Sequence, residues 1–194
     1  NSFSLFNIMP VSTILDQTRD AMAKAVEHTA HSITKVRTGR ASASLMDNLK
    51  IDYYGSPTPL PQVGSVSTPD ARTILIQPWD RTTINAIEKA IHQSDLGLNP
   101  SNDGTVIRIP VPPLTEERRK EYVKMCKKMA EEGKVAVRNI RRDYIEKLKA
   151  AEKTEHFSED ETKRGEAEIQ KITDKYITEI DAVLTKKEKE IMED

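Results

Sequence analysis

One cysteine, few aromatics and no long apolar run set the first limits on this chain. Cys126 stands alone, which excludes an intrachain disulfide and any multi-thiolate zinc or iron–sulfur site, and fits a reducing compartment. Aromatic residues make up 5% of the 194 positions, and no stretch approaches the roughly 18 apolar residues of a membrane span. The opening Asn1-Ser2-Phe3-Ser4-Leu5-Phe6-Asn7-Ile8 lacks the basic start and continuous apolar stretch of a signal peptide, so a soluble protein is expected. Neither sign of charge prevails: 30 Lys and Arg stand against 31 Asp and Glu, and a net charge near zero names no partner. Catalytic patterns are missing too. No GxxxxGK[ST], GxGxxG, GxSxG or HExxH is present. His28 and His31 stand at i and i+3 without a third ligand nearby and read as surface residues, and His92 and His156 are isolated. By pattern alone no catalytic residue, metal or cofactor is picked out.

What is present is a sharp partition. Nine of the ten prolines fall between Pro57 and Pro113, and residues 44–112 carry 12 charges in 69 positions, about half the density of the whole chain. This middle stretch reads as an inserted domain. On its N-terminal side Leu15, Met22, Val26, Thr29, Ile33 and Val36, with Thr18 between, recur at helical spacing, predicting a helix from Ser12 as N-cap to Arg37, with Gly39 as its stop. On its C-terminal side Tyr122, Cys126, Met129, Gly133, Val137, Ile140, Tyr144 and Leu148 mark a second stripe, from Thr115 as N-cap to about Lys153. Ser158-Glu159-Asp160-Glu161 matches a capping box, and Ile169, Ile172, Tyr176, Ile180, Leu184, Lys187 and Ile191 carry a third helix to the C-terminus. At 1.5 Å per residue these helices are roughly 40, 60 and 50 Å long, so the expected fold is α+β: an elongated three-helix bundle (10–39 and 113–194) with an inserted small α/β domain (40–112). Within the insert, strands are predicted at Leu49–Tyr54, Ala71–Gln77 and Thr105–Val111, a helix over Thr82–Ser94, and a turn at Asn102-Asp103-Gly104. Tyr53, Tyr54 and Trp79 read as core or packing residues. The two chain crossings, at Gly39, Arg40 and Ala41 and at Pro112 and Pro113, are short enough to act together as a hinge.

Charge is distributed unevenly over the bundle. Thr115–Lys153 has 13 bases and 8 acids, a net of +5, whereas Glu155–Asp194 has 13 acids and 7 bases, a net of −6. With Ile140 at zero and 100° per residue, Arg141, Lys134, Lys127, Lys120, Arg138, Lys124 and Arg142 fall between about 100° and 200°, opposite the predicted apolar stripe. Such a ribbon can follow a phosphate backbone; an ordinary solvated helix face has the same composition. No motif that reads base sequence accompanies it, so contact would be by charge and shape. A coiled-coil adaptor and an enzyme built on the insert are the other classes compatible with this organisation.

Five segments in order resemble the ribosome recycling factor family: Val36-Arg37-Thr38-Gly39-Arg40-Ala41-Ser42, Asp52-Tyr53-Tyr54-Gly55-Ser56-Pro57-Thr58-Pro59-Leu60, Ser94-Asp95-Leu96-Gly97-Leu98-Asn99-Pro100, Pro112-Pro113-Leu114-Thr115-Glu116-Glu117-Arg118-Arg119-Lys120 and Val135-Ala136-Val137-Arg138-Asn139-Ile140-Arg141-Arg142-Asp143. The likeness runs from about Ser12 to Met192; residues 1–8 fall outside it, and Met9 would be a natural start. It implies an L-shaped, non-catalytic monomer, cytoplasmic or in a chloroplast stroma or mitochondrial matrix. Such a protein binds the post-termination ribosome through large-subunit ribosomal RNA and separates the subunits together with elongation factor G, with no membrane partner. Matched by motif, Arg37, Arg40, Arg118, Arg119, Arg138, Arg141 and Arg142 are the implied RNA contacts, with Arg141 foremost. The implied role of the hinge is mechanical: the factor pushes the insert while the bundle stays anchored.

Overall fold

A computed structural model describes residues 10–193, and the opening Asn1–Ile8 and Met9 lie outside the described residues. In chain order the elements are α1 (Val11–Thr34), β1 (Lys50–Tyr53), β2 (Ser56–Pro59), the single turn α2 (Leu60–Val63), β3 (Gly64–Asp70), β4 (Thr73–Pro78), α3 (Ile84–Gln93), β5 (Ser101–Asn102), β6 (Ile107–Pro110), α4 (Glu116–Thr154) and α5 (Glu159–Met192). They fall into two compact units, the chain up to Arg37 with Glu117–Glu193, and Thr38–Glu116.

The helical unit is held by a seam narrower than its helices. Of the 39 residues of α4, only Cys126, Ala130, Gly133, Val137, Leu148 and Ala151 are buried. Small residues at those positions let the helices approach closely. A Cβ on Gly133 would collide with Thr29 Oγ1 of α1 and lie 2.7 Å from its Cγ2, and one on Gly165 of α5 would lie 2.8 Å from Leu148 of α4. Threonines in the seam satisfy their own hydroxyls: Thr18, Thr29 and Thr173 each donate to the carbonyl four residues back, at 2.7, 3.0 and 2.8 Å.

The buried stripes agree with the predicted ones at most positions and depart from them at a few. In α1 the buried residue of the first turns is Ile14, four before Thr18, and Leu15 lies half-buried beside the cluster of Ile14, Leu148, Ala151 and Ile169. In α4 Cys126, Gly133, Val137 and Leu148 are buried as predicted and Ala130 and Ala151 join them. The buried set is centred about 50° from Ile140 at 100° per residue, so Tyr122, Met129 and Ile140 are half-buried on one flank and Tyr144 is half-buried within the stripe. In α5 the predicted stripe is buried except for Leu184, which is half-buried. The ends differ as well. Pro10, not Ser12, occupies the N-cap of α1 in an extended conformation, with Thr13 N donating to its carbonyl at 3.0 Å. That helix stops at Thr34, where Val36 N bonds Ile33 O at 3.1 Å in a tightened last turn. The capping box at Ser158 and Glu161 is present with both reciprocal bonds.

The second unit is antiparallel throughout. One sheet has strand order β3-β4-β6-β5; β1 and β2 form a separate hairpin. Its core comprises Met46, Ile51, Leu60, Ile74, Ile76, Ile107 and Ile109 with Ile84, Ile87 and Ile91 of α3. The three predicted strands and the helix are all present within a residue or two at most ends. Strands β2, β3 and the two-residue β5 were not foreseen: the Ser-Pro-Thr-Pro of β2 pairs only with β1, an edge position where proline removes no needed donor, β3 buries only its first residue, leaving no alternation to detect, and β5 is too short to carry a pattern. At Asn102-Asp103-Gly104 the predicted turn forms, closed by 2.9 Å bonds from Thr105 N and Val106 N to Asp103 Oδ1. Tyr53, Tyr54 and Trp79 are not core residues; they are exposed.

Lys187 is the buried cation of the seam. It is 7% exposed and its Nζ donates to Thr34 O at the end of α1, 3.0 Å away. Burial lowers its pKa, against a smaller raising effect of Glu190 and Cys126. Burial also raises the pKa of the Cys126 thiol, so that it stays neutral as a small core residue.

Two stability predictions follow from this seam. Gly133→Ala should destabilise by about 1–3 kcal/mol despite alanine's better helix propensity, because the β-branched Thr29, bonded to Ala25 O, cannot yield. Urea denaturation should show Thr29→Ala rescuing most of that loss in the double variant. For Lys187, the unfolded state binds the proton more tightly than the folded state, so stability rises with pH between the lowered native pKa and the free-lysine value near about 10.4. Lys187→Met should be at least as stable as wild type at neutral pH, with the difference narrowing as pH rises through that window. A variant destabilised equally at neutral and alkaline pH would refute this account.

Candidate nucleic-acid interface

Placed on α4, the basic ribbon divides. The true seam is rotated toward it, so Arg141 and Lys134, at about 100° and 120° from Ile140, stand at the α4–α5 flank and not on the open face. Lys134 is largely buried and paired with Asp181 of α5. Arg141, half-buried, donates to Gln170 Oε1 of α5 at 3.4 Å, and Gln170 in turn donates to Asp174 at 2.9 Å. Arg138 reaches Glu131 at 3.4 Å with its side chain 39% exposed. Arg142 is exposed and has no ion pair among the described residues.

The middle of α4 therefore presents three arginines whose charge is hardly compensated. Arg142 is open, Arg141 meets only a neutral amide, and Arg138 has one long, exposed ion pair of the kind that contributes little. Guanidinium groups held this way suit bidentate contact with phosphate. Toward the start of the helix, Lys124 and Lys127 also lack ion pairs among the described residues and border a shallow apolar depression with Val123 and Met192.

The other predicted contacts stand elsewhere. Arg118 pairs with Glu121 at 3.2 Å, and Arg119 donates to Met192 O at 2.9 Å, tying the start of α4 to the end of α5. Arg37, half-buried, and Arg40, exposed, form no ion pair among the described residues.

The predicted hinge residues are fastened more than their sequence suggests. Gly39 is in the left-handed region at φ 83°, where glycine is favoured, and its carbonyl accepts from Arg72 Nη1 at 2.7 Å. Ala41 N donates to Ala71 O, and Val111 N to Arg72 O, each at 2.7 Å. Both crossings are thus tied to the same Ala71-Arg72 turn between β3 and β4. Pro112 and Pro113 are exposed. Arg72 was missed by sequence reasoning, because a single arginine in a polar turn carries no signal of a partner 33 positions away.

Among the described residues no group of three or more His, Cys, Asp or Glu could hold a metal, and no helix is long and apolar enough to cross a membrane. His28 and His31 are exposed.

Comparison with known proteins accords with this arrangement. The ribosome recycling factor family profile matches residues 29–192. A ribosome-recycling factor of Oleidesulfovibrio alaskensis is 57% identical over 183 residues, covering 94% of this chain and 100% of the relative. One from Nostoc punctiforme is 55% identical, covering 92% and 98%. A solution structure of a ribosome recycling factor superposes with a TM-score of 0.72 at 46% identity, covering 96% of this chain and all of the other. A second structure, of a T. thermophilus ribosome recycling factor with E. coli elongation factor G on the E. coli post-termination complex, superposes with a TM-score of 0.62 at 52% identity, covering 95% and 100%. With its helical unit, its small antiparallel unit and its likeness to these relatives over nearly their full length, this chain belongs to the ribosome recycling factor family.

Proposed function

We propose that this protein binds the post-termination ribosome through the arginine face of α4 and, with elongation factor G hydrolysing GTP, separates the subunits so that mRNA and tRNA are released. The observation that carries the RNA contact is the cluster at Arg138, Arg141 and Arg142: three guanidinium groups on one helix, one without an ion pair among the described residues and one facing a neutral amide. Fixed positive charge of this kind binds phosphate by releasing counterions, which needs no base-reading motif. Large-subunit ribosomal RNA is the proposed target. Arg37 and Arg40, which have no ion pairs among the described residues, extend it. Arg118 and Arg119, already engaged within the bundle, are secondary contacts.

In this reading residues 10–39 and 113–194 form the RNA-binding arm and 40–112 the part on which the factor acts. Because Gly39, Ala41 and Val111 are bonded to Ala71 and Arg72, we place the flexing around Arg37–Thr38 and Pro112–Pro113, with Gly39, Arg40 and Ala41 moving with the insert. The protein works as a monomer wherever its ribosomes are, in the cytoplasm or in an organelle of bacterial descent. As a member of a family of non-enzymatic translation factors, it contributes no catalytic group of its own.

The test is binding to vacant ribosomes across a salt series. Wild-type affinity should fall steeply with salt, and Arg141→Ala should bind about tenfold more weakly, with the salt slope shallower by about one unit, while its circular dichroism and melting stay unchanged. Arg141→Lys should be intermediate, since an ammonium cannot bridge two phosphate oxygens in the same plane. Equal, salt-insensitive binding by wild type and both variants would remove the arginine face from the RNA contact.

A further inference from the structure

The insert carries an aromatic group that its own fold does not require. Tyr53 and Ser56 close the β1–β2 hairpin, leaving Tyr54-Gly55 as a two-residue loop with φ 50° and 83°. Positive φ at both central positions is the type I′ turn, which favours Asn-Gly or Asp-Gly, and a bulky residue at its first position is a strained exception. Tyr54 is nonetheless there, with 78% of its surface exposed. Burial does not explain it either. What holds it is polar: its hydroxyl donates to Asp80 Oδ2 at 3.0 Å, and its ring meets Tyr53 edge-on at 4.6 Å.

Next to Asp80 stands Trp79, the single tryptophan of the chain, 67% exposed although its backbone N is anchored to Val63 O at 3.0 Å. Asp80 itself is pinned by Thr82 N and Thr82 Oγ1 at 2.9 and 2.8 Å. These bonds, with that from Tyr54, lower its pKa, so the carboxylate stays ionised at neutral pH. Two exposed aromatic residues thus adjoin a fixed negative charge, Tyr54 through its hydrogen bond and Trp79 as the preceding residue of the chain. Strain retained at an exposed position, without a packing reason, points to use.

We propose that Tyr54, Trp79 and Asp80 form a docking site for a cationic side chain, arginine in preference to lysine, on the protein factor that works with this chain on the ribosome. The aromatic faces supply cation–π attraction and the carboxylate supplies the counter-charge, and tyrosine and tryptophan are the residues that concentrate binding energy at protein interfaces. Guanidinium stacks on an aromatic face while donating to a carboxylate in its plane, which an ammonium cannot do. Asp52, bonded to Gly55 N at 2.8 Å in the same hairpin, lines a separate depression with the exposed Lys50 and Lys89, so the negative charge of the site is that of Asp80. A carboxylate fixed against Tyr54 opposes a phosphate backbone and fits a basic protein surface.

The site rests on the recycling reading above, with elongation factor G as the proposed occupant, and the experiment separates the two. Subunit splitting of post-termination complexes is titrated with elongation factor G for wild type, Trp79→Ala, Asp80→Asn and Tyr54→Asn, beside ribosome binding without the factor. Trp79→Ala and Tyr54→Asn should each raise the half-saturating factor concentration about fivefold, and Asp80→Asn about threefold, with ribosome affinity unchanged. Tyr54→Asn is the decisive variant. Asparagine suits the turn, so its melting temperature should hold or rise while the factor response weakens, whereas a purely structural tyrosine would give the reverse. An unchanged factor requirement in all three variants overturns the site. So does a loss of ribosome affinity without the factor, which would make the aromatics a base-stacking surface. If wild type itself fails to bind ribosomes, the recycling reading falls and takes the proposed occupant with it.

Discussion

The close approach of α1 to α4 at Thr29 and Gly133 constrains nearly everything else in the helical unit. Only a residue without a side chain fits there, and the neighbouring seam positions of α4, Cys126 and Ala130, are small as well. Thin contacts of this kind bury little surface per residue, so the helices must be long to gather enough. A long helix with a narrow buried stripe leaves most of its circumference in water, and that circumference has to be charged to stay soluble. The basic face of α4 is therefore permitted by the packing before it is used for anything. What distinguishes its middle is that the acidic helix α5, close enough to pair Lys134 with Asp181, offers Arg141 an amide.

How much of this could be read from the sequence follows the range of the interactions involved. The capping box at Ser158 is complete within four residues and was legible. Lys187 is a more telling case: its spacing placed it in the apolar stripe although its charge argued against burial, and the spacing prevailed because Thr34 O lies within reach of Nζ. The stripe of α4 was legible at Cys126, Gly133, Val137 and Leu148, but Tyr122, Met129 and Ile140, large apolar residues on one flank, drew its predicted centre about 20° from the buried one. A pattern reader weights bulk, whereas close packing here selected smallness. Measured from Ile140, at the edge of the stripe, Arg141 and Lys134 stand at about 100° and 120° and read as open face; measured from the centre of the buried set they stand only about 50° and 70° away. Strands β2 and β3 escaped because edge strands rich in Pro, Ser and Thr show neither alternation nor β-propensity.

The junction between the units shows the same limit. Gly39 and the Pro112-Pro113 pair announce breaks in the chain, and breaks suggest freedom. Their neighbours nonetheless converge on one turn, where Arg72 Nη1 holds Gly39 O and the backbone of Ala71 and Arg72 holds Ala41 and Val111. Bringing both crossings to one anchor keeps the ends of the insert together, so the insert can behave as a body and not as a slack loop. A long-range bond from a solitary arginine has no local signature. The glycine it serves was visible; the reason for the glycine was not.

Tyr54 belongs to a different category, because its local rule is broken and not merely silent. The loop Tyr54-Gly55 is short enough for its turn type to be inferred, and that type favours asparagine over tyrosine at the first position. Where fold and sequence agree at every level, a residue tells little about function, since stability alone accounts for it. Where a side chain costs backbone energy, remains in water and is held in place by a bond to an ionised carboxylate, stability does not account for it. The arginines of α4 are ambiguous by composition, because any solvated helix can carry them. An exposed tyrosine in a left-handed turn, pinned to the carboxylate that follows an exposed tryptophan in the chain, has no such ordinary explanation, and this makes the insert the more specific of the two surfaces although it is the less charged.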